Sequence, residues 1–242
     1  MKIYDHDTAP ELHYTFIEQA LHPGPALALQ CAAAGSPAPR FTWLLDDSPV
    51  DEHNTAHRYS VPQIQVQCST DTAPRFTWLL DDSPVDEHNT AHRTITQFMS
   101  PHGDVVSFLN LTSVRPEDGG RYTCRAANSR GSAQHSTRLN VYGPPSIRSA
   151  GPLRVVAGAN TTVHCPYSGF PISEIRWQRN GVDVPPADGP RAGGAGGAAV
   201  GAGGELLLWP AEAVDAGVYS CRVTAPGGQY AQKDLQVFVR SK

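Results

Sequence analysis

Asp215-Ala216-Gly217-Val218-Tyr219-Ser220-Cys221 is the stretch whose reading decides the fold. An aspartate at a turn, a tyrosine four residues on and a cysteine two beyond it describe a tyrosine corner at the entry to a strand. Outward from it, Leu206-Leu207-Leu208 precedes the corner, and Thr161-Thr162-Val163-His164-Cys165 alternates toward an earlier cysteine, with Trp177 twelve residues further along. Two sheets packed about 10 Å apart need this set: a disulfide across the core, a tryptophan on its sulfurs and a tyrosine tying the corner to the backbone. Pairing Cys165 with Cys221 closes a loop worth about 4 kcal/mol in the chain-entropy model.

The N-terminal half carries the same signature. Leu27, Leu29 and Cys31 alternate, Trp43 follows by twelve, and Leu109, Leu111 and Asp118-Gly119-Gly120-Arg121-Tyr122-Thr123-Cys124 complete it. Cys31 and Cys124 lie 93 residues apart, against 56 for Cys165 and Cys221. The surplus has a source: Ala38 to Arg58 recurs without change as Ala73 to Arg93. Ile64-Gln65-Val66-Gln67-Cys68 leads into the second copy as the alternation ending at Cys31 leads into the first. A sandwich has one slot for strand B and one for strand C. We pair Cys31 with Cys124, because its lead continues from the Pro10 to Pro25 segment and its step to Trp43 matches the C-terminal half. Cys68 is then the spare cysteine, and whether Trp43 or Trp78 fills strand C stays open.

The pattern predicts an all-β chain of two tandem immunoglobulin-like β-sandwiches of the I-set type. The first spans 10–142 with a duplicated B–C hairpin segment (38–58 and 73–93), the second 143–242, after a disordered start at 1–9. Gly143-Pro144-Pro145 is expected to end the first ladder, since proline removes a backbone donor. The Gly-rich stretch 193–204 is expected to be a mobile loop, too poor in side chains to offset its ordering entropy.

Composition agrees. The 22 glycines and 21 prolines of 242 residues favour turns over long helices. A net charge of −4 without a basic block excludes nucleic acid as a partner. No apolar run approaches the ~20 residues of a membrane span, and Met1 to Asp7 lacks the apolar core of a signal peptide, so the membrane enters only through an anchor outside this chain. His53 and His57, copied as His88 and His92, have helical metal-ligand spacing but lie in a loop after strand C, where they read as solvated surface rather than a zinc site. No nucleophile is partnered to a base, and no enzyme activity, cofactor or small-molecule substrate is expected.

Asn110-Leu111-Thr112 and Asn160-Thr161-Thr162 are glycosylation sequons. With Leu109 and Leu111 facing the core, Asn110 faces solvent, and Asn160 does so by the same alternation. Paired cysteines and sequons together point to an oxidising, extracellular compartment.

Glu11 to Gln19 (ELHYTFIEQ), Phe41-Thr42-Trp43-Leu44-Leu45-Asp46, Val114 to Gly120 (VRPEDGG) and Leu139-Asn140-Val141-Tyr142-Gly143-Pro144-Pro145 resemble the arthropod Down syndrome cell adhesion molecule (Dscam) family. The likeness is to its seventh and eighth immunoglobulin domains, or the first two of its shortened forms. It implies homophilic, antiparallel recognition of a same-isoform copy at the outer face of the plasma membrane, used in neurite self-avoidance and axon guidance. It further implies that the first domain pairs through the sheet of strands A, B, E and D, and that its first half is drawn from alternative exons, which makes the duplication intelligible as two joined cassettes. On this chain the outward positions of that sheet include Gln30, Thr96, Phe98 and Phe108. The other reading is a heterophilic or secreted immune-recognition module.

Overall fold

The computed structural model describes residues 7–36, 44–45, 48–49, 76–81, 83–84, 92–148, 152–187 and 197–241. The N-terminal sandwich contains β1 (Thr8–Tyr14), β2 (Gln19–Leu21), β3 (Leu27–Ser36), β4 (Leu44–Leu45), β5 (Ser48–Pro49), β6 (Phe76–Leu80), β7 (Ser83–Pro84), β8 (Arg93–Met99), β9 (Val105–Leu111), β10 (Gly120–Asn128) and β11 (Gly131–Val141). One sheet runs β1-β3-β9-β8 and the other β2-β11-β10-β6-β7. Strand β2 lies parallel to β11, from Leu139 opposite Gln19 to Val141 opposite Leu21. Period-2 burial on β9 and β10 turns Leu109, Leu111, Tyr122 and Cys124 inward, where each is essentially inaccessible. Cys31 of β3 is bonded to Cys124 of β10, Cα to Cα 6.6 Å, and joins the two sheets.

The duplicated segment resolves into unequal parts. The strand beside β10 is β6, which carries Trp78 of the second copy, while among the described residues β4 and β5 of the first copy pair only with each other. Leu44 faces Pro49 in the first copy as Leu79 faces Pro84 in the second. Strand B therefore comes from before the first copy and strand C from the second. Trp43, Cys68, His53, His57 and His88 lie outside the described residues. His92 is buried and not part of a solvated surface, a correction to the sequence expectation, and its carbonyl accepts bonds from the Thr112 amide and hydroxyl at 3.0 and 3.3 Å.

The C-terminal sandwich contains β12 (Gly143–Ile147), β13 (Leu153–Val156), β14 (Thr161–Val163), β15 (Tyr167–Phe170), β16 (Glu174–Arg179), β17 (Val182–Asp183), β18 (Ala198–Val200), β19 (Leu206–Leu208), β20 (Gly217–Thr224) and β21 (Tyr230–Arg240). Its sheets are β13-β21-β20-β16-β17, β14-β19-β18 and the pair β12-β15. Cys165 is bonded to Cys221, with Trp177, Leu206, Leu208, Tyr219 and Val237 completing one core. The Trp177 indole donates to the Gly204 carbonyl at 2.9 Å.

Three further sequence expectations differ from the structure. Thr8 and Ala9 belong to β1 rather than to a disordered start, and the Arg130 guanidinium pairs with Asp7 at 2.7 Å beside them. Gly143-Pro144-Pro145 does not end pairing but opens β12, and the prolines fall in the register shift between Gly143 and Ser146, where no ladder donor is needed. Within 193–204, Ala198–Val200 form β18 instead of a mobile loop. Backbone pairing on both sides supplies what small side chains lack: β18 is registered on β19, and Val200 donates to the Pro185 carbonyl and accepts from the Ala187 amide, both at 2.8 Å.

The chain divides into two compact units, 1–16 with 27–112 and 123–136, and 17–26 with 113–122 and 137–242. Inside the second unit, the Arg148 guanidinium donates to the Glu117 and Gly119 carbonyls, each at 2.8 Å. Tyr142 stacks on His22 at 4.3 Å and meets Phe170 edge-on at 5.0 Å.

Candidate recognition face

Antiparallel register places side chains that lie directly opposite one another on the same face of a sheet. Cys31, opposite Ser107 and Gln97, fixes the inward set of β3, β9 and β8, so the positions between them face outward. One outward row is Gln30, Phe108 and Thr96, three of the four residues expected on this face. The next is Ala32, Val106 and Phe98, the fourth, with Tyr14 of β1 opposite Ala32. Phe98 and Tyr14 are 53% and 54% exposed, while Val106 and Ala32 are nearly covered. The Phe98 and Phe108 rings lie near-parallel with centroids 6.1 Å apart. Structure thus brings the four expected residues together and adds Tyr14 to them.

A third row, Ala28, Asn110 and Thr94, borders the Gln30 row on its other side. None of these three rows contains an ionisable carboxylate or amine, in a chain with 17% charged residues. Charge returns beyond Tyr14, where His13 approaches Asp104 at 3.5 Å. An uncharged face that carries aromatic side chains and is bordered by charge matches the depletion of charged residues at the core of an interface.

Tyr14 is not among the residues expected from the sequence; it sits two residues past Leu12, and strict alternation would put both on one face. A register shift intervenes: Leu12 opposes inward Ala33, but Tyr14 opposes outward Ala32. Such a bulge reverses facing and leaves no mark in a period-2 count.

Among the described residues no three His, Cys, Asp or Glu side chains are placed to hold a metal ion. No helix among them is long and apolar enough to cross a membrane. Of the two sequon asparagines, Asn110 is half-buried on β9 and Asn160 is exposed just before β14.

The immunoglobulin domain family matches residues 60–128 and 144–224. Its first match begins past Cys31 and leaves out β3, which the structure registers on β9 over seven residue pairs and bonds to Cys124. A ladder of that length leaves no vacancy for a second strand B. Cell adhesion molecule Dscam2 of Drosophila melanogaster is 35% identical over 96% of this chain, which spans 9% of that protein. Cell adhesion molecule DSCAML1 of Gallus gallus is 33% identical over 74% of this chain and 7% of its own length. A crystal structure of the N-terminal eight Ig domains of Down Syndrome Cell Adhesion Molecule (DSCAM) isoform 1.30.30 superposes with a TM-score of 0.72 at 30% identity, over 96% of this chain and 24% of the other. The chain belongs to the immunoglobulin-domain family, and its relatives there are the Dscam cell adhesion molecules.

Proposed function

We propose that this chain is part of a cell-surface adhesion receptor whose β1-β3-β9-β8 sheet recognises the same sheet of an identical copy on a neighbouring cell. The observation that carries the reading is the uncharged outward face, with Phe108 on the interior strand β9 and the exposed Phe98 and Tyr14 on the edge strands β8 and β1. An antiparallel pair related by a two-fold axis meets through the same patch on both copies, so an uncharged face meets an uncharged face and no charge is buried unpaired. Self-recognition of this kind serves neurite self-avoidance and axon guidance. Two disulfides, and sequons at Asn110 and Asn160, support a place on the extracellular side of the plasma membrane.

Sedimentation velocity from ten to several hundred micromolar tests the pairing. The unglycosylated chain should show a monomer–dimer equilibrium. Phe98→Asp, which adds a charge to an exposed position, should weaken the dimer at least tenfold with an unchanged circular dichroism spectrum. Beads coated with the chain should cluster with one another. A chain that stays monomeric throughout, on beads that cluster only with unlike proteins, replaces this reading with heterophilic recognition.

A further inference from the structure

Asn110 occupies an unusual place for a sequon. It lies on β9, an interior strand paired with β3 on one side and β8 on the other, instead of on a loop. Its outward neighbours are Ala28 and Thr94, both small, and its row adjoins the Gln30, Phe108 and Thr96 row. At a rise of about 3.4 Å per residue, Asn110 stands about 7 Å along the strand from Phe108. A branched oligosaccharide rooted there would stand over the Phe108 ring, and an incoming sheet would have to strip water from its hydroxyls without replacing those hydrogen bonds.

We propose that N-glycosylation of Asn110 gates the pairing face, so that copies carrying the sugar do not pair and copies lacking it do; this rests on the homophilic reading above. In the modification, Asn110 Nδ2 displaces a lipid pyrophosphate from C1 of a lipid-pyrophosphate-linked oligosaccharide. An N–C1 bond forms, the C1–O bond to pyrophosphate breaks, one proton leaves Nδ2, and nothing is oxidised or reduced. Folded β9 has its backbone engaged in ladders on both sides, so transfer competes with strand closure and occupancy reflects how fast this sandwich folds. Asn160 belongs to the other compact unit, is exposed, and serves as the internal comparison.

The test secretes the whole chain from a glycosylating host as wild type, Asn110→Gln, Thr112→Val and Asn160→Gln. Thr112→Val removes the sequon while keeping Asn110. Mass spectrometry should find sugar on Asn110 in wild type, and sedimentation of that glycosylated fraction should show monomer. Asn110→Gln and Thr112→Val should associate at least tenfold more tightly, with Asn160→Gln matching wild type. An unmodified Asn110, or a glycosylated fraction that dimerises as tightly as Asn110→Gln, overturns the gate and leaves the pairing reading standing. Monomers in all four samples overturn the pairing reading, and the gate with it.

Discussion

Tyr219 shows how one side chain carries a corner of the fold. Its hydroxyl donates to the Asp215 carbonyl at 3.0 Å, and the Asp215 carboxylate in turn accepts the Glu212 amide at 2.8 Å. Tyr122 and Asp118 repeat the arrangement in the N-terminal sandwich, with 2.8 Å for both bonds. Tyr219→Phe leaves a buried carbonyl unpaired and should cost about 1–2 kcal/mol in urea unfolding. Burial raises the Tyr219 phenol above its ordinary value, against the nearby Arg179 guanidinium, which lowers it; the Asp215 carboxylate adds a smaller rise. The native phenol then keeps its proton where the unfolded one begins to lose it. This contribution to stability is fully present below about pH 10 and lost as pH rises through the folded value, a slope that Tyr219→Phe should reduce. Gly169 is a second such position: φ is +100°, and a Cβ there would overlap the Pro144 carbonyl oxygen. Gly169→Ala should lower the melting temperature by several degrees, because neither the backbone angle nor the β12-β15 approach accommodates the methyl group.

At the scale of elements, the duplicated copies provide a matched comparison, since equal sequences occupy unequal places. β6 is an interior strand between β10 and β7, whereas among the described residues β4 pairs only with β5. Leu79→Pro removes a ladder donor from the interior strand and should cost about 3 kcal/mol or more. Leu44→Pro, the same change at the same place in the first copy, should cost less than about 1 kcal/mol in the same urea titration. Equal losses would mean that the first copy shares the slot. Elsewhere, strand identity was legible where residues alternate toward a landmark, as in β3 toward Cys31 and β20 through Tyr219 to Cys221. It was not legible in β18, where Ala198, Ala199 and Val200 follow a run of glycines with no alternation toward a landmark, although Ala199 is buried and the strand is paired to β19 and to residues 185–187.

For the whole molecule, the duplication is an insertion between strands B and C. About 40 residues separate β3 from β6, and deleting residues 38–72 leaves about 4 while preserving one full copy. Loop-closure entropy then favours the shortened chain by about 2 kcal/mol. The deletion variant should unfold at higher urea concentration and give the same Cys31–Cys124 and Cys165–Cys221 peptides in a non-reducing digest. The sequence by itself determined two sandwiches and the inward residues that alternate toward the cysteines, because period-2 alternation and Cys, Trp and Tyr spacings are local properties of the chain; the resemblance to the Dscam family chose the sheet whose outward positions include Gln30, Thr96, Phe98 and Phe108. Only the tertiary structure decided that the second copy fills strand C, for two identical segments carry no local difference and only the neighbours they reach distinguish them. It likewise placed Tyr14 on the outward face of the β1-β3-β9-β8 sheet, through a bulge set by pairing with β3 rather than by any residue type.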